Sequence, residues 1–292
     1  MLAYVFPGQG AQFKGMGKAL FDQYADLTAE TSDYLKYSIA DLCLQNPDGK
    51  LNQTQFTQPA LYLVNHLHYL AKLEENAGVE PDYLAGHSLG EYNALLAAGA
   101  FDFKTGLRLV TKRGELMSQA KNGGMAAVVG VESDDIQQAL NKHQLQQIEM
   151  ANLNSRTQTI ISGPQSQIVR AEQAVEEAGG QIIPLPVSGA FHSRAMKPSA
   201  VAFRDYIRPV EFNWLRIPVI ANFIAKPYPS NNIKDILSEQ ISGSVRWLES
   251  VEYLLTHGVT RIEQVGPGKI LTDMVSRIVK DRKQQPSNLL AS

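Results

Sequence analysis

Two hydrophobic patterns alternate along the chain: short unbroken apolar runs, and longer stretches with apolar residues three or four positions apart. "MLAYVF" (1–6), closed by Pro7-Gly8, "PDYLAG" (81–86), "IPVIANF" (217–223) and "RIEQVG" (261–266) are of strand length and predict buried strands. "TQPALYLVNHLHYLAKLEENAG" (57–78) has helical spacing and stops on Gly78, and "DFKTGLRLVTKRGELMSQA" (102–120) continues in the same style. Further helices are expected from about Glu91 to Ala98, around 234–257 and over 269–283. Strands alternating with helices predict an α/β layer structure around a mostly parallel sheet.

Gly123-Gly124 breaks this rhythm. From there the chain reads strand "MAAVVGV", helix "SDDIQQALNKH", strands "IEMANLN" and "QTIISG", helix "QIVRAEQAVEEAG" and strand "QIIPLPVS". That order, β-α-β-β-α-β, is the split ferredoxin-like unit. It is expected as an insertion at 124–187, with the main domain formed by 1–123 and 188–283. "RKQQPSNLLAS" is polar and predicts a loose tail over 284–292.

Composition narrows the classes. The 292 residues are 44% hydrophobic, enough for one large core and a smaller appended unit. With a net charge of −2 and interspersed signs, no basic face recommends a nucleic-acid partner, so an anionic ligand must be held by a few placed cations. A single Cys43 excludes an internal disulfide framework and fits a reducing compartment. "LAYVFPG" is too short for a signal peptide and lacks its basic flank, and no apolar run approaches a membrane span. A cytoplasmic globular protein, with neither nucleic acid nor membrane as partner, is the expectation.

The candidate chemistry centres on "YLAGHSLGEYNALLAAGAF" (83–101), a strand, G-x-S-x-G and a helix in the order of a nucleophile elbow. Gly86 and Gly90 remove side chains where the backbone turns, leaving the Ser88 hydroxyl above the sheet edge, over a helix N-terminus that favours developing negative charge. The bare pattern arises by chance in about one chain in ten of this length, so the flanking elements carry the argument. A glycine-rich turn with Ser88 capping a helix would use the same letters.

A serine nucleophile needs a base, and six histidines are available. His66 and His68 lie on the 57–78 helix, suited to core or surface roles. His143 and His257 sit near helix C-termini, where a partial positive charge is favourable. His87 adjoins Ser88, so its side chain should point away. His192 in "VSGAFHSRAM" follows a strand and lies downstream of the serine, the chain order of the hydrolases with this elbow. No Asp completes a triad, which leaves a main-chain carbonyl to orient the imidazole. Two glycine loops fail as phosphate cradles: "GQGAQFKGMGK" has Met16 where the P-loop needs Lys, and "GPGK" is too short. No cluster has metal-ligand spacing.

"VFPGQGAQFKGMG", "GHSLGEYNALLAAG", "KRGELM", "NSRTQTIISGP", "GAFHSRAM" and "VGPGKIL", in this order over about residues 1–280, together resemble the malonyl-CoA:acyl-carrier-protein transacylase family. "TQPALYLVN" and "FDFKTGLRLVTKRGELMSQA" are most similar to its discrete members that serve polyketide synthases in trans; fatty-acid synthesis is the nearest rival setting. The resemblance implies an α/β-hydrolase-like core with a ferredoxin-like insertion. It makes Ser88 the acylated nucleophile and His192 the general base, then acid. The oxyanion hole falls to the main-chain amides of Gln9 and Leu89, and Arg113 pairs with the malonyl carboxylate, for which a planar guanidinium is suited. The main-chain carbonyl of Gln240 orients His192. Phe191 supplies a bulky ring that crowds a 2-methyl branch, Met117 lines the acyl pocket, and Asn154 lies near the acyl group. The family commonly reads "NSPGQ"; here Arg156-Thr157 replaces Pro-Gly.

The implied activity moves malonyl from malonyl-CoA through an acyl-serine to the phosphopantetheine thiol of an acyl carrier protein. It implies no bound cofactor and no metal, malonyl-CoA and the carrier as partners, and a monomer. A trans-acting acyl hydrolase and a non-catalytic docking protein are the competing readings; Arg113 stands against the first, and the intact Ser88, His192 and Gln9 against the second.

Overall fold

The structure is a computed structural model and describes residues 1–187 and 189–284. The opening apolar run forms β1 (Leu2–Phe6), and "YLAG" forms β2 (Tyr83–Gly86). They pair in parallel, Ala3 opposite Tyr83 and Phe6 opposite Gly86, so both release their chains at the same sheet edge. The helix Thr54–Glu75 joins them, its Ala60–Val64 run fully buried, and the helices Gly90–Ala97 and Phe103–Ser118 follow β2.

The interrupted rhythm after residue 122 becomes a second sheet of β3 (Gly123–Val129), β4 (Glu149–Ser155), β5 (Gln158–Pro164) and β6 (Gln181–Pro184). Its order is β4-β5-β3-β6 and every pairing is antiparallel. Strand alternation divides β3 between two cores. Ala126 and Val128 pack with Ile136, Leu140, Ile168 and Val175, on or from the covering helices Ser133–Lys142 and Gln165–Glu177. Met125 and Ala127 face the other way, into the core of the main domain. Ser155 pairs with Gln158, so Arg156-Thr157 is a two-residue hairpin turn.

The chain then returns to the first sheet as β7 (Val219–Ala221), β8 (Lys226–Pro227) and β9 (Arg261–Gln264). The order is β8-β7-β2-β1-β9, parallel except for the β7–β8 pair. The molecule is thus an α/β protein with a hydrolase-like parallel core and a ferredoxin-like insertion. No helix among the described residues is long and apolar enough to cross a membrane.

Three details differ from the sequence expectation. The strand expected over 181–188 stops at Pro184 because Pro184 and Pro186 lack an N–H; Leu185 N still bonds Met125 O at 2.9 Å, but Val187 N turns to Leu185 O at 2.8 Å instead of to β3. The helical stretch around 234–257 is two helices, Ile233–Glu239 and Trp247–Thr256, parted by an extended segment. That segment is held to β4, with Val245 N on Ala151 O at 2.8 Å and Leu153 N on Val245 O at 2.9 Å. The last helix runs Ile270–Gln284, so the first residues of "RKQQPSNLLAS" are helical; the remainder of the expected tail, 285–292, lies outside the described residues, as does Ser188.

Candidate active site

In a parallel sheet the loops at the carboxyl ends of the strands bound a common crevice. Here Pro7-Gly8-Gln9 leaves β1, His87-Ser88 leaves β2 and Asn222 leaves β7, all at one edge. The elbow needs its glycines: a Cβ on Gly86 would lie 2.0 Å from Gly90 C. Gly8 lets the first loop press on the elbow, since a Cβ there would meet His87 O at 2.2 Å and Leu89 N at 3.4 Å. Ser88 itself sits at φ 51°, a left-handed conformation that non-glycine residues adopt only when their surroundings enforce it.

His192 also has positive φ, 57°, which turns its ring into the crevice. Its Nε2 lies 2.8 Å from Ser88 Oγ, and its Nδ1 lies 2.8 Å from Gln240 O and 3.2 Å from Gly243 O. Two carbonyls at Nδ1 require the proton there, so the Nε2 lone pair faces the hydroxyl. Burial above all, then the Arg113 guanidinium, pulls the imidazole down to about 3, keeping it a neutral base. The interruption between the helices Ile233–Glu239 and Trp247–Thr256 supplies both carbonyls. The arrangement can take the proton of Ser88 without a carboxylate third member.

Arg113 and Met117 are one turn apart on the buried face of the helix Phe103–Ser118. The guanidinium is 1% exposed; it donates to Ser88 Oγ at 3.1 Å, Gln58 Oε1 at 2.9 Å and Gln240 Oε1 at 2.9 Å. Its Nε has no hydrogen-bond partner, and no carboxylate among the described residues lies within 4 Å. The Tyr92 ring lies beneath it, 5.6 Å away. Gln58 also donates to Met117 Sδ at 3.4 Å, fixing guanidinium and thioether together.

A cavity of about 250 Å³ opens in front of Ser88, between the two sheets. Gln9, Leu89, Arg113, Met117, Phe191 and Asn154 all line it, as do Met125 and Ala127 from β3. Among the described residues neither the Gln9 nor the Leu89 backbone N–H donates a hydrogen bond, so both remain available beside Ser88. Asn154 is bound to His87, Oδ1 to Nε2 at 2.9 Å, so the ring next to Ser88 turns from it toward the insertion. The other histidines stand elsewhere: His66 stacks on Phe103 and burial lowers it to about 4, His143 pairs with Glu177 at 3.0 Å, and His257 Nδ1 bonds Tyr253 O at 2.8 Å. No group of three or more His, Cys, Asp or Glu side chains is placed to hold a metal ion among the described residues.

Sequence reasoning missed Gln58, Asn222, Tyr228 and Glu91. Asn222 Oδ1 accepts the Ser88 N–H at 2.7 Å, and its Nδ2 donates to Gly86 O at 2.6 Å. Glu91 is fully buried and accepts from Asn222 N, Gln240 Nε2 and the Tyr228 hydroxyl. Burial pushes its carboxyl up to about 7 against those hydrogen bonds. A carboxylate inside the apolar run "GEYNALLAAGA" was the available signal.

A strained serine over a helix N-terminus, a neutral histidine on its hydroxyl and two idle amides define an α/β enzyme of the serine-nucleophile class. The acyl transferase domain family matches residues 3–257, and the chain belongs to it. It is 50% identical over 289 residues to the polyketide biosynthesis malonyl CoA-acyl carrier protein transacylase BaeC of Bacillus velezensis, covering 98% of this chain and 100% of that protein. The malonyl CoA-acyl carrier protein transacylase of Escherichia coli is 38% identical, over 95% of this chain and 92% of that protein. The crystal structure of a malonyl CoA-acyl carrier protein transacylase from Burkholderia pseudomallei superposes with a TM-score of 0.94 at 47% identity, covering 98% of this chain and 99% of that one. A malonyl-transacylase solved in complex with a type II PKS acyl-carrier protein gives 0.90 at 36% identity, over 96% of this chain and 93% of that one.

Proposed function

We propose that the chain is a malonyl-CoA:acyl-carrier-protein S-malonyltransferase that serves a polyketide synthase in trans. Ser88 Oγ attacks the thioester carbonyl while His192 Nε2 takes its proton. The oxyanion is received by the Gln9 and Leu89 amides, each worth about 3 kcal/mol where such donors have been removed. The C–S bond then breaks, and the sulfur of CoA leaves with the proton from His192. In the second half, the phosphopantetheine thiol gives its proton to His192 and attacks the malonyl ester. Collapse returns the proton to Ser88 Oγ and releases malonyl-carrier protein. The reaction as written uses no bound cofactor or metal.

The observation that carries this reading is the buried Arg113, which has no carboxylate within 4 Å among the described residues and stands 3.1 Å from Ser88 Oγ. In a malonyl ester the free carboxylate is three bonds from Oγ, within reach of that guanidinium. A hydrolase for neutral acyl groups would leave the same charge buried and unpaired. The relatives named for polyketide biosynthesis support the polyketide setting over fatty-acid synthesis. The solved transacylase–carrier complex supports an acyl carrier protein as partner. One chain holds every group of the site, which supports action as a monomer, and the buried free thiol of Cys43 suits a cytoplasmic setting.

The test is mass spectrometry of the protein mixed with malonyl-CoA, then with a holo carrier protein. A malonyl adduct on wild type, absent from Ser88→Ala and passed to the carrier faster than to water, is expected. Release of malonate outpacing transfer would favour the hydrolase.

A further inference from the structure

Ser88 is anchored on both sides by side chains that are themselves anchored by one carboxyl group. Its N–H donates to Asn222 Oδ1 at 2.7 Å, and its carbonyl accepts from Gln240 Nε2 at 2.7 Å. Both anchors meet at Glu91, whose Oε2 accepts from Asn222 N at 3.0 Å and Gln240 Nε2 at 3.1 Å, while Oε1 accepts from the Tyr228 hydroxyl. Gln240 carries two more loads. Its main-chain carbonyl holds His192 Nδ1 at 2.8 Å, and its side-chain carbonyl holds Arg113 at 2.9 Å. A left-handed backbone at Ser88 persists only if its surroundings over-determine it, and here the surroundings lead back to a single residue.

We infer that Glu91 is the positioning residue of this site: by fixing Asn222 and Gln240 it sets the serine peptide, the imidazole acceptor and the guanidinium in one geometry. The inference rests on the reading of Ser88 as nucleophile and deepens it. Glu91 lies behind the elbow and touches no reacting atom; its effect passes through the two amides. A carboxylate suits the position because three donors converge on it. Glutamine can still match all three, keeping its oxygen for Asn222 N and Gln240 Nε2 and donating its N–H to the Tyr228 hydroxyl, whereas leucine keeps much of the bulk and removes both acceptors.

The experiment measures single-turnover acylation by malonyl-CoA on the full chain, with the amplitude and rate constant of the malonyl mass adduct read separately. A serine-directed fluorophosphonate, which needs only Ser88 and its base, is run in parallel. Glu91→Leu should still reach one adduct per chain. Its rate constant should fall on the order of 10²-fold, as a displacement of about 1 Å costs, with KM for malonyl-CoA moving less than about threefold. Tyr228→Phe, which removes one donor and keeps the carboxylate, should show the same pattern in weaker form. A reduced amplitude at an unchanged rate constant would make Glu91 a stability residue only and overturn the inference. Unchanged rates in both assays would overturn it too. If wild type takes up the fluorophosphonate but no malonyl group, the transferase reading fails by itself, and the fluorophosphonate rates still decide the role of Glu91.

Discussion

Burial decides the protonation of His192, and Arg113 reinforces it. An imidazole held at about 3 is already the free base throughout the range where an ordinary histidine titrates, near 6.5. In the free enzyme His192 should therefore add no acid limb to kcat/KM for malonyl loading between pH 7 and 5; a limb near 6.5 that persists in Glu91→Leu, where the carboxyl at about 7 is gone, would contradict this. Arg113→Ala removes one cause of the depression, so the acid limb should move up in that variant. The same change should cost malonyl loading about 3 kcal/mol or more, hundreds-fold, because a carboxylate is left buried without its partner. Acetyl and hexanoyl loading, followed by mass, should stay level or rise. Phe191 bounds the cavity beside the base, and Phe191→Ala should raise methylmalonyl loading relative to malonyl by an amount in the range of ~1–3 kcal/mol. An unchanged ratio would place the boundary of the acyl pocket elsewhere. The residues that line the cavity around Ser88 were legible in the sequence because each sits in a short local motif. Glu91 and Asn222 were not, since their contact joins positions 131 apart and depends on β7 docking against β2.

At the scale of elements, the elbow works only if a helix can start in contact with the neighbouring strand. A Cβ on Gly90 would stand 2.0 Å from Phe6 O, backbone that cannot step aside without parting β1 from β2. Gly90→Ala should therefore cost more than the 1–3 kcal/mol typical of overpacking, read as a lower midpoint in urea, and should slow acylation at the same time. A stable, fully active Gly90→Ala protein would refute this picture of the turn. Apolar periodicity announced the sheet strands except the two-residue β8, and several of the flanking helices though not Ile39–Gln45 or Lys197–Ile207, because buried faces leave a sequence pattern. The helix Ala25–Leu35 was not assigned: only Thr31 is buried in it, so no apolar stripe marks it. The strand over 181–188 was overextended, since the proline effect depends on which N–H the ladder needed.

For the whole molecule, acid should unfold the protein through its histidines. His192 and His66, at about 3 and about 4 when folded, both titrate near 6.5 when unfolded. Their stabilising effect is complete above pH 6.5 and is lost as pH falls toward 4. Glu91 acts in the opposite sense: its carboxyl, at about 7 when folded, favours the native state below 4.5 and ceases to do so as pH rises through 7. Two groups outweigh one, so unfolding near pH 5.5 should take up protons, and the urea midpoint should be lower at pH 5 than at pH 7. A midpoint independent of pH would mean that these imidazoles are wet. The two-core division of β3 bears on the molecule's future as well as its stability. Ala126 and Val128 pack against the small sheet and its helices, whereas Met125 and Ala127 line the cavity in front of Ser88. Even positions of one strand thus hold the insertion together while odd positions border the cavity in front of Ser88, so a change on one face need not disturb the other.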